Sequence, residues 1–271
     1  MAGLLQTIGA TRGRSIAVPG TLNFRDVGGY PLAGGGSTAW RKLLRSDGLH
    51  RLGAGATEAL AALRLRTVLD LRTSEEAQIA PSPLEEFAGL GALTMQVSLL
   101  GEDLDALPAE LGEIYNYVVD QRGASIAAAI RTLARSGGLP ALVHCAAGKD
   151  RTGIVVAFAL AAAGVPDQVV AADYALSSLY LDPLHTPAIT QVREGTGLGD
   201  RLTAALLASP PELMLRTLDR ARRHGGSIEG YLTGHGVPGA ELASLRSALA
   251  APLGSTEGED GDEAQDADVA R

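Results

Sequence analysis

The single cysteine of this chain, Cys145, stands in the stretch HCAAGKDRTG, residues 144–153, with five residues between it and Arg151. A strand ending at His144 and a helix beginning near Arg151 leave the intervening residues as a tight loop whose amides converge on one point. Helix N-termini and consecutive loop amides attract negative charge, and a thiol in such surroundings ionises at neutral pH. Lowering a thiol pKa by about 3 units takes ~4 kcal/mol, whereas a helix terminus supplies only ~2 kcal/mol. Several amides and a hydroxyl must therefore contribute, and Thr152 is placed to give the hydroxyl.

The same ring of donors fits a phosphate. The amides of Ala146, Ala147, Gly148, Lys149, Asp150 and Arg151 would bind its oxygens, and the Arg151 guanidinium offers a planar fork for two of them. Cys145 would attack phosphorus in line with the departing oxygen, giving a cysteinyl-phosphate that water later hydrolyses. Gly148 lets the backbone approach a ligand closely or take a positive φ. Lys149 adds a second positive charge at the rim. Asp150, between a thiolate and a phosphate dianion, meets two like charges that favour its protonated form, from which it could protonate the leaving oxygen. Its alternative role is to complement the positive end of the following helix. A rival acid lies on the loop 101–110, where Asp103 or Asp105 could swing in. His144 orients the loop rather than acting as a base, since a thiolate needs no proton removed.

These residues need a frame. Two extended stretches flank the turn Ala33-Gly34-Gly35-Gly36 and predict a hairpin. A helix over 54–63 and a buried strand over 66–71 follow, and the capping box Thr73/Glu76 opens the next helix at that strand's end. A second strand is expected over 92–99. Helical periods cover 115–120 and 125–135 and stop at Gly137-Gly138. A third strand over 139–144 leads into the cysteine loop, and an apolar helix over 152–163 ends at Gly164. Strands alternating with helices predict an α/β fold with a central, largely parallel sheet flanked by helices. From 166 to 253 the patterns are only helical. The expected organisation is a flexible arm over 1–17, one domain over 18–253, and a tail over 254–271. The tail carries seven acids, one arginine and no aromatic residue, a composition that reads as disordered.

With 46% hydrophobic residues the chain can fill a core, and its net charge of -8 gives no global attraction to nucleic acid or an anionic membrane. One cysteine precludes an internal disulfide and fits a reducing compartment. The longest apolar stretch, 154–165, is too short to span a bilayer. A cytoplasmic protein with no stable membrane insertion is expected, export by an unmarked route being the open alternative. No H-E-x-x-H or paired Cys/His spacing occurs, which disfavours a zinc or di-metal hydrolase. Gly148-Lys149 is not a nucleotide loop, because Asp150 stands where Ser or Thr should hold magnesium. No metal and no cofactor is expected.

Cys145, five residues, Arg151 and Thr152 resemble the C-x5-R-[ST] loop of protein tyrosine phosphatases. HCAAGKDRTG as a whole resembles the loop of the bacterial tyrosine phosphatases of the tyrosine phosphatase B type, which is similar to that of phosphoinositide phosphatases. LNFRDVGG, LLRSDGLHRL, RTVLDLRTSEE, AADYALS and GGSIEGYLTGHGV are similar to that family's recurring segments in the family's order, over roughly 18–250. The resemblance implies a cysteine-phosphatase fold and a protein-tyrosine phosphatase acting on phosphotyrosine-containing proteins, with dual or broad specificity within reach. It implies the loop aspartate, Asp150, as general acid. It also gives Lys149 a possible contact to further phosphates of an inositol ring, so a phosphoinositide phosphatase is the alternative; a silent phosphate-binding module is another. The region of Leu202, Leu206, Leu213, Leu215 and Leu218 resembles a helical lid, although core packing is its default reading. Arg25 and Asp26 read as an ion pair packing the hairpin on the sheet before they read as substrate contacts. Asp70 and Arg72 end a strand where ligands of open α/β sheets bind. Glu75 departs from the family, whose members often carry arginine there, and this puts a pocket-lining role of that segment in doubt.

Overall fold

Strands covered on both faces carry unbroken apolar runs rather than alternating ones. In the computed structural model, which describes residues 13–181 and 208–251, β2 (Leu43–Ser46), β3 (Thr67–Asp70) and β5 (Ala141–His144) are buried at every position. They run parallel in the middle of a five-stranded sheet of order β1-β2-β5-β3-β4. β1 (Arg25–Asp26) lies antiparallel beside β2, and β4 (Leu93–Gln96) parallel beside β3. Successive side chains point to opposite faces. Leu44, Val68 and Leu142 thus join a smaller core with Leu60 of α1 (Ala56–Ala62) and Phe87 of α3 (Leu84–Gly89). Leu43, Leu69 and Val143 join a larger one, built with α4 (Leu111–Gln121), α5 (Gly123–Ala134), α6 (Asp150–Ala163), α7 (Asp167–Tyr180), α8 (Pro211–Gly225), α9 (Ile228–Gly234) and α10 (Gly239–Leu249). This is the expected α/β architecture, a mostly parallel sheet with helices on both faces.

The register decides where chemistry can happen. Ser46, His144 and Asp70 are aligned across β2, β5 and β3, so three strands end level and the chain leaves β5 at their common carboxyl edge. Ligands of open α/β sheets bind at that edge. The helix that follows, α6, is apolar on all sides and buried along nearly its whole length, as a central helix must be. It stops at Gly164, whose φ of 97° is a left-handed cap.

Several boundaries differ from the sequence reading. The hairpin is present, but its two-residue β1 makes only a short ladder, and a separate bridge, Pro31 to Ser37, closes the glycine turn. The helix α3 was not foreseen: six residues behind Pro81 and Pro83 are too few to show a helical period. The capping box opens α2 (Ser74–Ile79) as expected. Arg14 and Ser15, within the expected arm over 1–17, are held in the fold. Arg14 is buried, its guanidinium 4.0 Å from the centre of the Tyr30 ring and donating to the Asp26 carbonyl, and Ser15 bridges to Arg25. Residues 1–12, the tail over 254–271, and Leu202 and Leu206 lie outside the described residues. Leu213 and Leu218 are buried in the core of α8, and Leu215 is packed against it. Among the described residues no helix is long and apolar enough to cross a membrane.

Candidate active site

The loop between β5 and α6 is held by its carbonyls. That of Ala146 accepts from the Gly48 amide at 2.9 Å. Those of Ala147 and Gly148 accept from Asn23 Nδ2 at 3.1 and 3.0 Å. Arg45 Nη2 donates to the carbonyls of Gly148 and Lys149 at 2.8 and 3.3 Å. A peptide group is planar, so a carbonyl drawn outward turns the next residue's N–H inward. Among the described residues the amides of Ala146, Ala147 and Gly148 donate to nothing. Gly148 permits this path. Its φ is 66°, and a Cβ there would lie 2.3 Å from the Ser46 carbonyl oxygen, so neither the conformation nor the space suits another residue.

Cys145 is 2% exposed at the foot of this loop, below the exposed Ala146 and Ala147. Arg151, in the first turn of α6, donates from Nη1 to Glu76 Oε2 at 2.5 Å and from Nη2 to Glu76 Oε1 at 2.7 Å. That end-on pairing leaves the edge carrying Nε, with its neighbouring Nη hydrogen, for an anion. Burial works against the charge of Arg151, but the Cys145 sulfur and the Glu76 carboxylate outweigh it and hold the guanidinium above its ordinary value. Glu76 is also the reciprocal member of the capping box, accepting from the Thr73 amide at 2.9 Å. Glutamine serves that cap equally well, so Glu76→Gln isolates the arginine contact. It should lower kcat about tenfold by weakening a charged hydrogen-bond pair worth ~1.5 kcal/mol, while the melting temperature hardly moves. Steady-state kinetics with thermal denaturation checks this; a kcat within twofold of wild type would show that Arg151 needs no clamp.

Thr152 departs from expectation. It is fully buried, yet its hydroxyl has no hydrogen-bond partner among the described residues, the sulfur included. The third residue of the pocket-side helix turn brings Oγ1 into the interior without bringing it into bonding reach of Cys145. Lys149 also differs: its side chain is not at the rim but 1% exposed, with Nζ donating to the Ala208 carbonyl at 2.8 Å and lying 3.3 Å from Asp150 Oδ1. Asp150 stands at the first position of α6, partly exposed, and its Oδ1 accepts from the Tyr115 hydroxyl at 2.8 Å. Asp103 is spent on its own exposed loop, where Oδ1 accepts from the amides of Asp105 and Ala106; it is bonded to nothing in 144–152.

A strand, a loop of inward amides, a buried thiol and a clamped guanidinium thus meet at one sheet edge. The model of a family described as "Tyrosine phosphatase family" matches residues 16–251. The chain belongs to the tyrosine phosphatase family. It is 29% identical over 224 residues to a tyrosine-protein phosphatase of Nostoc commune, an alignment covering 76% of this chain and 73% of that one. It is 28% identical over 275 positions to the triple specificity protein phosphatase PtpB of Mycobacterium tuberculosis, covering 86% of this chain and 98% of that one.

Beneath the loop, the phosphatase buries a charge network that accounts for several residues weighed in the sequence. Arg25 does not pair with Asp26, because neighbours on a strand face opposite ways. Arg25 Nε donates to Asp173 Oδ1 at 3.2 Å, and Arg45 Nη1 to Asp173 Oδ2 at 2.6 Å, with all three side chains buried. Tyr30 adds a hydrogen bond to Oδ1 at 2.8 Å. Burial alone would favour a neutral Asp173; the two arginines override it and hold the carboxylate far below its usual range. Asp26 instead accepts from the amides of Gly28 and Arg41, both at 2.8 Å, and fixes the turn. Asp70 and Arg72 form a tight ion pair, 2.6 Å between Nη2 and Oδ2, and Arg72 spends its remaining donors on Ala80 and Ser82. They support the α2 segment that carries Glu76. Asn23, Arg45, Asp173, Glu76 and Tyr115 are the site residues that sequence reasoning did not single out; the capping box and the segments LNFRDVGG, LLRSDGLHRL and AADYALS were the available signals for four of them. Among the described residues no group of three or more His, Cys, Asp or Glu could hold a metal ion.

His144 is fully buried, its Nε2 3.7 Å from Asp70 Oδ2 and lacking a hydrogen bond among the described residues. Burial pushes the imidazole down to about 4 from its ordinary 6.5, with Asp70 only partly offsetting. The folded value lies below the unfolded one, so the unfolded chain binds the extra proton. The stability this ring contributes is full above about pH 6.5 and is lost as the pH falls toward 4. Between pH 7 and 5 the loss should be about 2 kcal/mol, and His144→Gln should remove that part of the pH dependence in urea denaturation. An unchanged slope in the variant would contradict this assignment.

Proposed function

We propose that the phosphatase hydrolyses phosphotyrosine in proteins through a covalent phosphate on Cys145, the carrying observation being the loop whose carbonyls are all anchored outward around that thiol. The thiolate attacks phosphorus, forming the P–S bond as the bond to the tyrosyl oxygen breaks, while Asp150 gives its proton to that oxygen. Water, losing a proton to the Asp150 carboxylate, then attacks phosphorus; the P–S bond breaks, releasing inorganic phosphate and restoring the thiolate. The amides of residues 146–151 and the free edge of Arg151 hold the three equatorial oxygens throughout, the preorganised arrangement that stabilises transferring phosphoryl groups. His144, whose Nδ1 faces the Cys145 carbonyl, orients the start of the loop. The reduced thiol this chemistry needs suits the cytoplasm.

The relative named for triple specificity makes broad specificity the natural companion reading. For a phosphoinositide substrate Lys149 would have to reach outer phosphates, yet its ammonium is buried on Ala208 and Asp150, which favours phosphotyrosine. Rates on a phosphotyrosyl peptide, a phosphoseryl peptide and phosphoinositide vesicles test this. The phosphotyrosyl peptide should be turned over fastest, and a preference for the vesicles overturns the assignment.

A further inference from the structure

We propose that Tyr115 is a positioning residue for the acid: its phenol holds Asp150 Oδ1 and so leaves Oδ2 as the oxygen that carries and delivers the proton. The inference rests on the reading of Asp150 as general acid. Tyr115 reaches the site from α4, 35 residues upstream, with its hydroxyl 2.8 Å from Asp150 Oδ1 and 2.9 Å from the hydroxyl of Tyr174 on α7. The two rings meet edge-on at 6.2 Å between centroids. Both tyrosines are 1% exposed. Burial, then the nearby Asp150 charge, pushes each phenol above its ordinary value, so both remain protonated donors at any pH at which the enzyme works.

Lys149 Nζ lies 3.3 Å from the same Oδ1. An oxygen facing both a phenol hydrogen and an ammonium has no room for a proton of its own. As the proton leaves Oδ2, negative charge grows on the carboxylate, and the Tyr115 hydrogen bond and the Lys149 ion pair at Oδ1 both strengthen. Contacts that strengthen on the way to the transition state raise kcat rather than affinity. Among the described residues, the charged and titratable groups around Asp150 include Lys149 beside it, Arg151 on its own helix, Tyr115 from α4, and Tyr174 from α7 with Arg45 of β2 behind it.

Tyr115→Phe keeps the ring and removes only the hydroxyl. For phenyl phosphate, a poor leaving group, kcat should fall about tenfold, a fraction of what a general acid supplies. For p-nitrophenyl phosphate it should stay within twofold, with KM unchanged for both. The alkaline limb of the kcat profile should move to higher pH, since the deprotonated acid has lost a donor. Tyr174→Phe, which spares the direct contact, should move the limb less and in the same direction, and it carries the test if the first variant does not fold. Equal losses on both substrates, or an unmoved limb in the folded variants, would reduce Tyr115 to a packing residue. Asp150→Asn on the same two substrates separates the failures. If its effect ignores the leaving group, the acid reading itself fails. If it depends on the leaving group while Tyr115→Phe does not, only the positioning role falls.

Discussion

Cys145→Ser is expected to lower turnover on the order of 10⁴-fold or more, as removal of an essential nucleophile does, while inorganic phosphate binds within a few-fold of its wild-type affinity. The asymmetry follows from the division of labour in the loop. In the proposed mechanism phosphate is held by main-chain amides and by Arg151, and the carbonyls of that loop are anchored by Gly48, Asn23 and Arg45; none of these contacts involves the sulfur. Serine offers an alcohol in place of the thiol, and an alcohol holds its proton far more tightly. Turnover assays beside calorimetric titration with phosphate measure both halves. A variant retaining a tenth of the activity would mean that another group attacks phosphorus; joint loss of binding and turnover would mean that the sulfur itself shapes the loop.

Asp173→Asn should produce the largest stability loss of any single substitution in the site. It leaves Arg25 and Arg45, both fully buried, facing each other without the carboxylate that binds them at 3.2 and 2.6 Å. Stranding buried charges in this way costs about 3–5 kcal/mol, equivalent to roughly 10 °C in melting temperature for a domain of this size. Activity should fall as well below the new melting point, because Arg45 steadies the carbonyls of Gly148 and Lys149. Thermal denaturation and kinetics at a temperature where both forms are folded read the two effects. A melting temperature within 2 °C of wild type would show that the arginines find other partners and that the network is no keystone.

What the sequence disclosed and what it hid divide by distance along the chain. The loop of 144–153 was legible because strand end, nucleophile, glycine, arginine and helix start are consecutive, and the Thr73/Glu76 box because a cap is a four-residue affair. The partners were not. Glu76 meets Arg151 across 75 positions, Asn23 meets Ala147 across 124, and Arg25 meets Asp173 across 148. Only the fold, which sets β2 and β3 on either side of β5 and packs α6 on β2 and β5 and α7 against α6, creates those meetings. Asp103 was a fair candidate by composition, but an Asp two and three residues ahead of amides it can cap usually folds its own turn. The burial of the Lys149 side chain was hidden for a similar reason: one residue's place in a motif says nothing about which carbonyl will cover it.

The outward tethering of the loop also bears on protein engineering. The ten residues 144–153 are no portable cassette. Grafted alone onto the strand–helix corner of another α/β scaffold, they would lack the Asn23 amide, the Arg45 guanidinium and the Gly48 N–H that pull their oxygens aside, and the Ser46 carbonyl whose closeness demands a glycine. Peptide planes released from those tethers would rotate, and the transplant would arrive as an ordinary surface turn bearing an ordinary thiol. A designer wishing to move this chemistry must carry two neighbouring strands along with it.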